Sequence, residues 1–216
     1  MGAAAPELLD ELRERYVELL IAGEARGAHA LVAEALRAAP VEAVYRELVT
    51  EALHEVGDRW ERGEVTVAEE HLATGICETS LPDLAERLPR RPRCHRTAIV
   101  ACAPWELHAL GARVVSDFLE AGGWDVLHLG ALVPASVVVE LVVARNADVV
   151  ALSASTPRSL GELASVCERL RALPRPPLVA AGGQALLEAP DALALSGAVV
   201  EQSPEALVEL LALRSG

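Results

Sequence analysis

The 216 residues carry 32 acidic side chains against 19 basic ones, a formal charge of −13 and a pI near 4.9. That balance argues against unaided binding to DNA or RNA, whose phosphates select a basic surface. Every cation is Arg, which excludes Schiff-base chemistry and a P-loop lysine.

Hydrophobic residues make up 52% of the chain, enough to build a real core. The segment Met1–Glu7 has neither the basic start nor the apolar run of a signal peptide, and no apolar stretch reaches membrane-spanning length. Cys77, Cys94, Cys102 and Cys167 form no C-x-x-C pair. They read as reduced thiols of a cytoplasmic protein.

The first part of the chain reads as helical. Glu7–Ile21 places Leu8, Leu9, Leu12, Tyr16 and Leu19-Leu20 on one face. Ala28–Ala38 is a second helix closed by Pro40, and Val41 to about Trp60 a third, with Val44, Leu48, Leu53 and Val56 at helical spacing. After Gly63, the capping-box pattern Thr66-x-x-Glu69 starts a fourth helix that runs towards Leu88, bent near Pro82. Four such helices with short connections predict a four-helix bundle over residues 1–88. Pro89, Pro92 and the arginines between Leu88 and Thr97 then mark a linker, 89–96, read as a solvated hinge.

From residue 97 to 216 the pattern alternates. Strand-like runs at Ala98–Ala103, Asp125–Leu129, Asp148–Ser153, Pro177–Ala181 and Ala198–Val200 are separated by helical patterns at His108–Ala121, Ala135–Arg145, Leu160–Leu173 and about Leu186–Leu195. A last helix covers Pro204–Leu213. The alternation predicts a flavodoxin-like, Rossmann-type α/β domain with a five-stranded parallel sheet in the order 2-1-3-4-5. Its switch point lies between the first and third strands.

Glu106-x-His108-x-x-Gly111 leaves the carboxyl end of the first strand at that point, where open α/β sheets bind ligands. A carboxylate two residues before a histidine is placed to orient its ring, and an oriented neutral imidazole is what a transition metal takes. The third strand ends in Ser153-Ala-Ser155-Thr156 and the fourth in Gly182-Gly183, on the same edge. Small hydroxyl residues and paired glycines leave room for a flat or elongated ligand close to backbone. His95 beside Cys94 reads as exposed linker, and His128 as an edge or core histidine. Trp105 packs on a ligand or fills an interface, with nothing to choose between the two.

A D/E-x-H-x-x-G loop followed by a serine-rich loop and a Gly-Gly loop resembles the cobalamin-binding domains. The resemblance implies that His108 is the lower axial ligand of cobalt and Glu106 the group that holds its ring. Gly111, Ser153, Ser155, Thr156, Gly182 and Gly183 then line the channel for the buried nucleotide tail. In the helical part, Trp60 is followed after nine residues by Glu70-His71. This W-x9-E-H pattern resembles the bundle of the adenosylcobalamin-dependent photoreceptors of the CarH type. It implies a bundle capping the upper corrin face, with Trp60 over the adenosyl group and Glu70 and His71 near the ligand.

The photoreceptor resemblance implies a light sensor and no enzyme: photolysis of the cobalt–carbon bond drives a conformational or oligomeric signal. A homo-oligomer, a dimer favoured, and a protein partner are expected, without nucleic acid or membrane. Repressors of this type carry an N-terminal DNA-binding domain, for which no counterpart is expected here. Glu61 stands directly after Trp60, where some of the group place a second cobalt ligand, so the light-state ligand is left open between His54, His71 and water. Bilin-using relatives exist in the group, but no cysteine here stands in a chromophore-attachment motif. The alternative is a corrinoid methyl-carrier subunit of a methyltransferase system. Those share the layout but usually carry Asp in place of Glu106 and generally lack W-x9-E-H.

Overall fold

The computed structural model describes residues 4–194 and 196–214. The chain divides into two compact units, Met1–Leu88 and Pro89–Gly216.

The first unit is helical: α1 (Ala4–Ile21), α2 (Ala25–Ala38), α3 (Val41–Ala43) running through a π-helical stretch Val44–Thr50 into α4 (Glu51–Glu61), and α5 (Val67–Ala85). Spacing of three and four residues gives each helix an inward stripe. On α1 it is Leu9, Leu12, Tyr16, Val17 and Leu20; on α5 it is Ala73, Ile76, Cys77, Ser80, Leu81 and Leu84. Two buried phenols need polar partners. The Tyr16 hydroxyl meets Cys77 Sγ at 3.4 Å, and the Tyr45 hydroxyl donates to the Leu81 carbonyl at 3.3 Å. The α5 capping box forms: Thr66 Oγ1 accepts from the Glu69 amide at 3.3 Å, and Glu69 Oε2 from the Thr66 amide at 2.8 Å. The π-helical stretch was not expected. Thr50 Oγ1 donates to the Tyr45 carbonyl at 2.9 Å, five residues back, so the side chain follows the widened register.

The second unit holds β1 (Thr97–Cys102), α6 (Leu110–Ala121), β2 (Asp125–Gly130), α7 (Ala135–Arg145), β3 (Val149–Ser153), α8 (Leu160–Arg171), β4 (Leu178–Gly182), α9 (Gln184–Glu188), β5 (Val199–Val200) and α10 (Pro204–Leu213). The strands are all parallel, in the order β2-β1-β3-β4-β5, as the alternation predicts. The central strands β1 and β3 are apolar on both faces and buried. In register, Cys102 pairs with Ser153 and Ser153 with Gly182. Three strands thus end in one row, and their following loops leave from a single edge beside the β1–β3 switch point.

Two expectations need correction. The helix expected over Leu186–Leu195 is only α9, followed by a 3-10 turn at Pro190–Leu193; Leu195 lies outside the described residues. Pro190 has no amide to donate, and Ala189 before it sits at φ −132°, ψ 67°. The segment 89–96 is not a free hinge either. The Arg91 amide donates to the Ala121 carbonyl at 2.7 Å and the Cys94 amide to the Gly123 carbonyl at 2.9 Å, which ties it to the turn before β2. The side chains of residues 89–95, His95 and Cys94 included, remain exposed. Among the described residues no helix is long and apolar enough to cross a membrane.

Candidate functional site

Helix α6 begins at Leu110, so residues 103–109 form a loop over the row of strand ends. Glu106 is buried at its centre, with 1% of its surface exposed. Three donors converge on Oε1: the Leu107 amide at 3.0 Å, the His108 amide at 3.1 Å and His108 Nδ1 at 2.5 Å. Four converge on Oε2 from the loop after β3: the Ser155 and Thr156 amides at 3.0 Å, Thr156 Oγ1 at 3.1 Å and Ser159 Oγ at 2.8 Å. Burial alone would raise the pKa of this carboxyl. The hydrogen bonds from the ring and amide of His108, from Ser159 and from Thr156 outweigh it and hold the group far below the usual carboxylate range.

An ionised carboxylate only accepts, so His108 Nδ1 must donate. In the neutral ring that puts the lone pair on Nε2, and the side chain is 56% exposed. Among the described residues no group of three or more His, Cys, Asp or Glu is placed to hold a metal ion. The nearby Cys102 thiol does not compete: burial, with the Glu106 charge beside it, pushes it up to about 12.

Large apolar side chains surround the imidazole's loop. Trp105 is 79% exposed, and Leu107 and Leu132 are exposed too. Trp105 and Leu132 both hold left-handed backbone, at φ 67° and 56°. The Leu132 amide donates to the Glu106 carbonyl at 3.1 Å, which binds the loop after β2 to the same carboxylate-bearing residue. Strained backbone carrying exposed apolar groups is a mark of a binding surface.

The remaining expected residues fall as follows. A Cβ on Gly111 would stand 3.3 Å from Ser153 Oγ, so these two face each other across the strand ends. The glycine pair has a different physical reason from the one expected. A Cβ on Gly182 would lie 2.4 Å from the Glu201 carbonyl oxygen, and one on Gly183, at φ 106°, 2.4 Å from that of Ala154. Both glycines admit the protein's own neighbouring loops. Gly183→Ala should accordingly cost about 2–4 kcal/mol in urea unfolding.

In the helical unit, Trp60 is 45% exposed near the end of α4, so it is not core. Glu70 Oε2 meets His71 Nδ1 at 2.6 Å, and Glu70 Oε1 accepts from Thr74 Oγ1 at 3.0 Å. His71 is largely exposed. His128, on the edge strand β2, meets Ser116 Oγ at 2.8 Å. Sequence reasoning missed Ser159; its one signal is a hydroxyl three residues after Thr156, which the 3-10 turn Pro157–Ser159 brings back onto Glu106.

Residues 12–82 and, separately, 96–211 match the family described as B12 binding domain. The chain belongs to the B12-binding domain family. Among curated members of similar sequence, the HTH-type transcriptional repressor CarH of Myxococcus xanthus is 37% identical over 70% of this chain and 50% of its own length. The HTH-type transcriptional repressor CarA of the same organism is 33% identical over 93% of this chain and 68% of its own. The chain thus spans half the length of the first relative and two thirds of the second. The Methanosarcina barkeri monomethylamine corrinoid protein shares the B12-binding fold at 20% identity, with a TM-score of 0.80 over 96% of this chain and 99% of that one.

Proposed function

We propose that the chain binds adenosylcobalamin and senses light. The observation that supports it most is the pairing of buried Glu106 with exposed His108. That pairing offers one oriented imidazole, which fits a cobalt that the corrinoid itself would largely coordinate. On this reading His108 would ligate the cobalt, and the exposed Trp105, Leu107 and Leu132 would give the corrin an apolar bed. Gly111, Ser153, Ser155, Thr156, Gly182 and Gly183 form or support the channel for the nucleotide tail. Trp60, Glu70 and His71 would serve the adenosyl group, with Trp60 selecting it.

When bound, the cofactor supplies a cobalt–carbon bond that visible light breaks. The protein's part is to hold the ring of His108 in one tautomer, to shield it with apolar surface and to seat Trp60 against the adenosyl group. Similarity to the two repressors supports the sensor over a methyl carrier. The output is a protein contact or a change of oligomer.

The test is to load the chain with adenosylcobalamin in darkness, record the absorbance spectrum, illuminate with green light and run size-exclusion chromatography before and after. A histidine-ligated dark spectrum, a light-driven spectral change distinct from free cofactor and a shift in elution are expected. Tight binding with neither light response would leave a carrier; no binding would end the whole reading. Trp105→Gly adds a finer check. Glycine tolerates the left-handed backbone, so thermal unfolding should show a gain of about 1 kcal/mol while cobalamin affinity falls.

A further inference from the structure

We propose that the amino-terminal ends of β1 and β2 carry a second ligand site, which takes a small phosphate-bearing anion of nucleotide size. A groove of about 630 Å³ lies there, within the range of small-molecule sites, at the end of the strands opposite His108. Its lining holds Arg90, Arg91, Arg93 and Arg145, against two acids, Glu120 and Asp125. In a chain with 32 acidic and 19 basic residues this local excess runs against the overall charge.

The four guanidiniums are not all neutralised. Arg91 is paired with Glu209, and Arg93 lies 3.5 Å from Asp125. Among the described residues Arg90 and Arg145 have no carboxylate partner.

The backbone that carries three of these cations is also held in place. The segment that carries Arg90, Arg91 and Arg93 is stiffened by Pro89 and Pro92 and bonded through the Arg91 and Cys94 amides to the turn before β2. At that turn a Cβ on Gly123 would come within 2.2 Å of the Pro92 carbonyl oxygen, so only glycine lets the segment seat so closely. The Arg96 guanidinium lies 4.9 Å from the centroid of the Trp124 ring and closes the far end of the segment on the domain. Guanidiniums carried on an anchored backbone suit the tetrahedral oxygens of phosphate, which they bind with paired hydrogen bonds. A net charge of −13 repels a phosphate polymer, so the ligand is a small molecule. The site shares no residue with the His108 surface and stands apart from the cobalamin reading.

Calorimetric titration of the full chain with inorganic pyrophosphate and with ADP, at low and at physiological salt, tests this. Saturable binding of one ligand per chain is expected. The double variant Arg90→Ala, Arg145→Ala should weaken it at least tenfold with an unchanged thermal midpoint, and Arg37→Ala, an exposed arginine on α2, should leave it unchanged. Absence of saturable binding, or equal loss in the Arg37 variant, overturns the proposal. So does capture of a glutamate-rich peptide in place of pyrophosphate, which would make the groove a protein-docking surface. Cobalamin affinity of the double variant should equal that of the parent; a fall would assign these arginines to the cofactor and overturn it too.

Discussion

Glu106→Gln is expected to cost the α/β unit about 3–5 kcal/mol in urea unfolding, although the substitution is isosteric. Both carboxylate oxygens are surrounded by donors, three on Oε1 and four on Oε2. An amide must turn its own NH2 towards one of those sets, which leaves donors facing a donor in a buried place. The charge that strengthens the remaining bonds is lost as well. The pH dependence has a definite sign. The folded pKa of Glu106 is depressed, so its contribution is complete above the unfolded value of about 4.3 and is lost as pH falls towards the folded one. Stability of the α/β unit should decline progressively below about pH 4.5, and Glu106→Gln should flatten that part of the profile. A variant as stable as the parent would show that the carboxylate does not organise the loops.

His108→Ala should behave in the opposite way. The side chain is 56% exposed, and Glu106 keeps its backbone and hydroxyl donors without it. Unfolding should change by about 1 kcal/mol or less. Adenosylcobalamin affinity should fall at least about tenfold, and the histidine-ligated absorbance should vanish. A variant that keeps that absorbance would move the axial ligand to another residue. Together the two substitutions separate a loop-organising carboxylate from a ligand-facing imidazole, which no single substitution does.

Much of the fold was legible because it rests on local rules. Apolar runs of strand length alternated with 3.6-residue patterns, and parallel crossovers admit few orders. The loop of Glu106 and His108 was legible because its parts are two residues apart. What stayed hidden depends on distance or backbone. Ser159 reaches Glu106 across 53 residues of sequence. The left-handed backbone at Trp105 and Leu132 has no glycine to announce it. The apolar residues around Pro190 have helical spacing, and only the proline's missing amide divides them. Gly182 and Gly183 stood out as places where a ligand passes close to backbone; in the structure the loop after β5 and the loop after β3 come that close.

The π-helical stretch Val44–Thr50 sets a phase. Each residue added to or taken from a helix turns everything beyond it by about 100°. Deleting one residue there would return the segment to α-helical winding and leave α4, with Trp60 in its exposed direction, in phase, whereas a deletion within α4 itself would turn Trp60 by that angle. The widened turn thus absorbs one residue of chain length and keeps the side chain that the helical unit presents.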